Sequence, residues 1–136
     1  MAWRLANNIR TLAIDIIVDA LDAGAGAGTI GIRTGAVPTN VADADTGTLL
    51  GTLTGSDPFF GAGSNGVAAA SAITSDTNAD ASGTAAHGRM KDSTPTIHSD
   101  FTISTSGADV NFNNITIVAG GTIAMSSLTA TQNISV

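Results

Sequence analysis

The stretch Leu21–Arg33, "LDAGAGAGTIGIR", decides how the chain is read, because the hydrophobic spacing changes period across it. Its core, Ala23–Gly28 "AGAGAG", invites comparison with glycine loops that cradle phosphate. Such a loop follows a strand and opens a helix, whose N-terminus supplies free N–H groups and the positive end of the dipole. Here the order is reversed. Residues 3–22, "WRLANNIRTLAIDIIVDALD", place Leu5, Ile9, Leu12, Ile16 and Ala20 at helical spacing, with Ile14, Val18 and Leu21 as a second apolar flank. Arg4, Asn8, Thr11, Asp15, Asp19 and Asp22 line the remaining face. The glycines therefore fall at a helix C-terminus, where carbonyls point outward and repel an anion. The Gly-Lys-Ser/Thr ending of a P-loop is also missing. Gly24 reads as the helix stop, and the rest of the run as a flexible lead into a strand.

Downstream of the run the period drops to about 2. Ile30 and Ile32 alternate in "TIGIRT", and a loop with Pro38 leads to a strand over Leu49–Thr54. "GSDPFFGAGSNG" interrupts with Pro58 and an Asn65-Gly66 turn, after which Val67, Ala69, Ser71 and Ile73 share one strand face. "TAAHGRMKD" and "TIHSDFTIS" read as two further strands, followed by "ADVNFNN". "ITIVAGGTIAMSS" carries a hairpin signal around Gly120-Gly121, and a last strand is expected from Leu128 to Val136. Seven or eight short antiparallel strands with frequent turns describe a mainly β fold, a β-sandwich or small jelly-roll-like barrel with one N-terminal α-helix. The helix is expected to pack across the sheet or to reach a neighbour. Residues 1–23 thus form an amphipathic helix or arm and residues 24–136 a β-rich domain, together a single structural unit.

Composition agrees. The 136 residues suffice for one core without staples. All 11 acidic residues are Asp, and 16 are Gly, a balance that favours turns over helix interiors. Cysteine is absent, which removes disulfides and thiolate zinc sites from consideration. A net charge of −6, with only Arg4, Arg10, Arg33, Arg89 and Lys91 as cations, disfavours nucleic acid as a partner. Asp15 and Asp19 interrupt the N-terminal apolar run, which argues against a spanning helix and a secretory h-region. The expectation is a soluble chain made without a signal peptide. Large core residues are few, so such a domain gains from burying further surface against other copies or a scaffold.

Candidate chemistry is sparse. Asp76–Asp80, "DTNAD", alternates oxygen ligands as a calcium loop does, but Ala81 and His87 stand where an EF-hand needs Gly and Glu. Asp and Asn satisfying local backbone in a turn is the commoner arrangement, and Asp43 and Asp45 in "ADADTG" read the same way. His87 and His98 lie on separate expected strands, with Asp100 as the near carboxylate, and read as surface residues of a sheet. No nucleophile elbow or convergent polar set emerges. No catalytic residue, metal ligand or cofactor is assigned.

The phrases "IRTGAVPTN", "DADTGTLLGTL", "TSGADVNFNN" and "AGGTI", within a pattern spanning about residues 8–131, resemble a family of small virion proteins of tailed bacteriophages. The genes of that family lie near the major capsid gene. The resemblance implies a non-enzymatic decoration or cement protein on the capsid exterior, present in the host cytoplasm during assembly. It implies the major capsid protein as partner, and self-association with a trimer favoured. It further implies a capsid-contacting N-terminal segment, with Trp3 as an apolar anchor and Arg4 and Arg10 as charged partners. For Trp3, packing of the helix on its own sheet is the competing role. The alternative function is a tail, collar or head-fibre component that touches the host surface or a carbohydrate. The shortage of Trp and Tyr counts against a dedicated sugar site.

Overall fold

The N-terminal helix α1 (Asn7–Asp19) begins behind an extended Ala6 and runs into a 3-10 turn at Ala20–Asp22. The computed structural model describes residues 4–132. Gly24 follows with φ +98°, and a side chain there would run into Ser93 and Thr94, so the glycine run is a helix exit threaded past a neighbouring loop. The expected helix is therefore found, shortened at both ends.

Of its two apolar flanks, the fold buries the second. Ile14, Val18 and Leu21 are buried, whereas Ile9, Leu12 and Ile16 face outward. The cause is polar. Thr11 Oγ1 accepts the Asn65 N–H at 3.0 Å, Asp15 Oδ1 the Gly63 N–H at 2.6 Å, and Asp22 Oδ1 the Phe59 N–H at 2.6 Å. Short polar side chains readily take backbone donors. Three of them along one flank hold the loop over residues 59–65 against the helix and turn the apolar flank beside them inward.

The β portion contains β1 (Thr29–Arg33), β2 (Leu49–Thr54), β3 (Val67–Ala69), β4 (Gly83–Thr84) and β5 (His87–Lys91), then β6 (Ile97–Ser104), β7 (Val110–Asn111), β8 (Thr116–Ile117) and β9 (Thr129–Thr131). A five-stranded sheet in the order β2-β1-β5-β6-β7 curls into a half-barrel, antiparallel except for the parallel β6–β7 pair. β1 is hydrogen-bonded on both sides, with Ile30 opposite Leu53 on one and Met90 on the other. Ile30, Ile32, Leu50 and Leu53 are fully buried, as their alternation implies. Phe59 stacks on Phe60 with ring centroids 5.3 Å apart, and both join the helix residues in one continuous core. Gly88 lies under Phe101, whose ring fills the space a side chain at that position would need.

Several local expectations are corrected. "TAAHGRMKD" is two strands, β4 and β5, which pair with different partners. Gly120-Gly121 does turn the chain, with Gly120 at φ +79° and the Gly121 N–H donating to Val118 O. Its arms do not form a hairpin: β8 pairs with β4, and Ile123 bridges to Asp76. Apolar alternation marked these residues as strand but could not choose their partners. β3 stops at Ala69, short of the expected Ser71 and Ile73; Val67 and Ala69 share its outward face and Ala68 is buried. β9 pairs with β3; the remainder of the expected last strand, 133–136, lies outside the described residues. Among the described residues no helix is long and apolar enough to cross a membrane.

The choice of flank gives a sharp expectation. Ile14→Ala should cost about 2–5 kcal/mol of unfolding free energy, and Ile16→Ala at most about 0.5 kcal/mol in the monomer. Urea titrations of the two variants at low protein concentration measure this. Equal losses would return Ile16 to the core.

Candidate functional site

The helix leaves an apolar surface open. Ile9 is 45% exposed, Leu12 59%, Ile16 74% and Ile17 53%, all on one side of α1. Scattered exposed aliphatics are ordinary, but four on three adjacent turns make a contiguous patch. Beside them a cavity of about 310 Å³ opens between helix and sheet, lined by Ile14, Ile17, Phe60, Met90, Phe101 and Leu128 among others. Ile17 links the two. Of the residues read as a contact segment, Trp3 lies outside the described residues. Arg4 is exposed just ahead of the helix, and Arg10 is half-buried with its guanidinium packed over Gly66, on the side facing its own domain.

A second feature is a buried cation. Arg89 on β5 is fully buried, and every donor group of its guanidinium is engaged. Nε donates to Asp100 Oδ1 at 2.7 Å, Nη1 to Asp45 Oδ1 at 2.8 Å and to Asp43 O at 3.0 Å, and Nη2 to Val41 O at 2.6 Å. Asp100 stands directly opposite Arg89 on β6, so register alone delivers the pair. Asp45 comes from the loop between β1 and β2 and also meets Arg33 Nη1 at 3.3 Å and Lys91 Nζ at 3.1 Å. Three of the five cations thus surround one carboxylate. Partial burial pushes the Asp45 carboxyl up, but the Lys91 hydrogen bond and the charges of Lys91, Arg33 and Arg89 outweigh it and hold its pKa below the usual range. The cluster straps the β1–β2 loop over the sheet. Its donors are spent on that task, which identifies it as a structural clamp.

The histidines are not brought together. His87 opens β5 opposite Thr102, while His98 lies near the other end of the ladder. His87 is fully buried, correcting the expectation of a surface residue. Its Nδ1 is 3.1 Å from Gly35 O, and its Nε2 is enclosed without a hydrogen-bond partner. His98 Nε2 contacts Asp92 Oδ2 at 2.8 Å, not Asp100, which is occupied by Arg89. Asp92 also accepts from the Thr94 N–H and hydroxyl and the Thr96 N–H. The His98 hydrogen bond, then those from Thr94 and Thr96, hold its pKa far below the ordinary carboxylate value. In the Asp76–Asp80 loop, Asp76 accepts the Thr52 and Asn78 N–H groups, which is the local backbone role. Asp43 likewise accepts the Asn40 N–H. Among the described residues no group of three or more His, Asp or Glu is placed to hold a metal ion.

A separate cleft of about 280 Å³ lies among Asn111, Phe112, Asn113, Asn114, Thr122 and Ser126, with Ile117, Ile123 and Met125 at its base. The amides and hydroxyls at its rim suit neutral polar ligands. Sequence reasoning found neither this cleft nor the outward face of the helix. The only available signal for the latter was the row Thr11, Asp15 and Asp22, whose short acceptors sit next to Ile14, Val18 and Leu21.

Comparison with known protein families, curated proteins and solved structures returns no match.

Two outcomes are expected. Arg89→Ala leaves Asp100 and Asp45 without their shared cation and should destabilise the fold by about 3–5 kcal/mol in urea unfolding. Asp92, Asp45 and Asp109 titrate lower in the folded than in the unfolded chain, Asp109 through hydrogen bonds from the Thr102 N–H and hydroxyl. At acid pH the unfolded state therefore binds more protons. The stabilisation is fully present above about pH 5 and is lost as pH falls through and below the unfolded value near 3.8. The urea midpoint should drop between pH 7 and pH 3. Asp92→Asn should start lower at pH 7 and fall less.

Proposed function

We propose that this chain is a non-enzymatic virion structural protein, a decoration or cement protein that binds the assembled major capsid lattice of a tailed phage and stabilises the head. The observation that carries the reading is the open apolar side of α1. It is a surface made for another protein, at the end of the chain where the resemblance puts the capsid contact. In this reading the half-barrel and the short β3–β9 and β4–β8 ladders are the two layers of a jelly-roll-like sandwich. The protein acts as a homo-oligomer, with a trimer implied by the resemblance, and Trp3 and Arg4 are the contact residues that the resemblance implies.

The mechanism is linkage. A protein that binds the closed shell and not its free subunits shifts the equilibrium toward the shell by an amount set by occupancy. Many copies on one lattice add their small contributions, and an oligomer docks more tightly than its single contacts would.

A second reading, a tail, collar or head-fibre component that touches a host glycan, is favoured by the cleft rimmed with Asn111, Asn113, Asn114 and Ser126.

Purified chain is mixed with capsids that lack it, the shells are pelleted, and their melting is followed with and without the chain. Saturable co-pelleting with a raised capsid melting temperature is the expected result. Failure to bind bare shells, with retention on a glycan array, would replace this reading with the second.

A further inference from the structure

We infer that the chain modifies itself at Asn65: the Gly66 nitrogen displaces the Asn65 side-chain amide as ammonia, and the carboxylate that water then generates is met by Arg10. This goes beyond the capsid reading and does not depend on it. Asn65-Gly66 is the one Asn-Gly step in the chain, and every other asparagine precedes a residue that carries a side chain. A successor without a Cβ leaves the side-chain carbonyl open to approach by the backbone nitrogen.

The fold sets out the reacting groups. Ser64 and Val67 exchange backbone hydrogen bonds of 2.8 and 3.0 Å, and between them Asn65 (φ +53°) and Gly66 (φ +84°) make a tight hairpin turn. Asn65 is exposed, so its amide meets water and ammonia can leave. The Asn65 N–H is spent on Thr11 Oγ1, and the Gly66 carbonyl accepts the Gln132 N–H at 2.7 Å. Among the described residues the Gly66 N–H has no acceptor. The nitrogen that must attack is therefore the backbone donor of the turn that the fold leaves unengaged.

Arg10 supplies the charge. A side chain at Gly66 would meet Arg10 Nε at 3.1 Å and Nη2 at 3.2 Å, so the guanidinium stands against the attacking residue. It is half-buried, and among the described residues it has no carboxylate partner, whereas Arg33, Arg89 and Lys91 all share Asp45. A fixed cation there favours loss of the Gly66 proton and steadies the negative charge that develops as the new bond forms.

The step balances without any further reactant than water. The Gly66 nitrogen bonds to Asn65 Cγ, the Cγ–Nδ2 bond breaks, and Nδ2 leaves as ammonia with the proton that Gly66 gave up. Water opens the resulting succinimide ring at either carbonyl. Attack at Cγ restores the ordinary backbone with an aspartate side chain. Attack at the main-chain carbon routes the backbone through the side chain and leaves isoaspartate, one methylene longer. Either product adds a negative charge beside Arg10. The longer one also stretches the turn between its anchors on Thr11 and Gln132, and the Thr11 contact is among those that fix the buried flank of α1.

The full chain is aged in mildly alkaline buffer and digested, and the turn peptide is followed by mass, with isoaspartate methyltransferase reading the longer product. The mass shift of an amide turned carboxylate should appear at Asn65 ahead of every other asparagine and be absent from Asn65→Gln. Arg10→Gln should slow it several-fold, and Arg10→Lys, which keeps the charge, should restore most of the rate. In urea, where no guanidinium is held against Gly66, wild type and Arg10→Gln should age alike. The shift at Asn65 in the wild type remains a test whether or not the Arg10 variants fold, which circular dichroism reports. An Asn65 that stays unchanged in the folded chain, equal change at other asparagines, or a folded Arg10→Gln that ages as fast as wild type would each overturn the inference.

Discussion

Three hydrogen bonds between helix α1 and the loop after β2 govern which surface the molecule presents. Thr11, Asp15 and Asp22 each accept a backbone N–H from the stretch Phe59–Asn65. A loop lying over a core needs partners for its donors, since a buried N–H left unmet costs about 1–3 kcal/mol. The helix supplies them from side chains short enough to hold one geometry. With that flank committed, Ile14, Val18 and Leu21 enter the core beside Phe59 and Phe60, and Ile9, Leu12 and Ile16 are left outside. Satisfying the loop's backbone thus creates the apolar surface.

The Arg89 cluster shows the same logic with full charges. A fully buried guanidinium is tolerated only when its donors are met, because removing a charge from water is expensive. Arg89 meets this condition with two carboxylates and two carbonyls. The planar fork of Arg suits such divided bonding better than the point charge of Lys. The consequence is mechanical: a long loop between β1 and β2 is held against the sheet by charge, in a chain with few large apolar side chains to do it. Arg33 and Lys91 extend the clamp to its exposed rim.

Both devices leave a rigid body with an apolar helix on its surface and its polar side chains largely engaged in holding loops. In the proposed capsid reading, a modest face of this kind is multiplied by the symmetry of the lattice.

The amino-acid sequence determined by itself the element types: a helix within residues 3–22, a glycine exit at Gly24, and the alternation that buries Ile30, Ile32, Leu50 and Leu53. These follow from local periodicity and backbone freedom, which need no partner to be read. Tertiary structure decided everything that depends on who meets whom. The helix carries two apolar flanks, and the donors of a loop nearly fifty residues away chose between them. Ile115–Met125 had the spacing of a hairpin, yet its segments pair with Gly83–Thr84 and Asp76 because those edges were open. His87 read as a surface residue of a sheet, yet the β1–β2 loop covers it together with Arg89. Periodicity reports that a face is apolar or polar; the partner that covers it is a property of the folded chain.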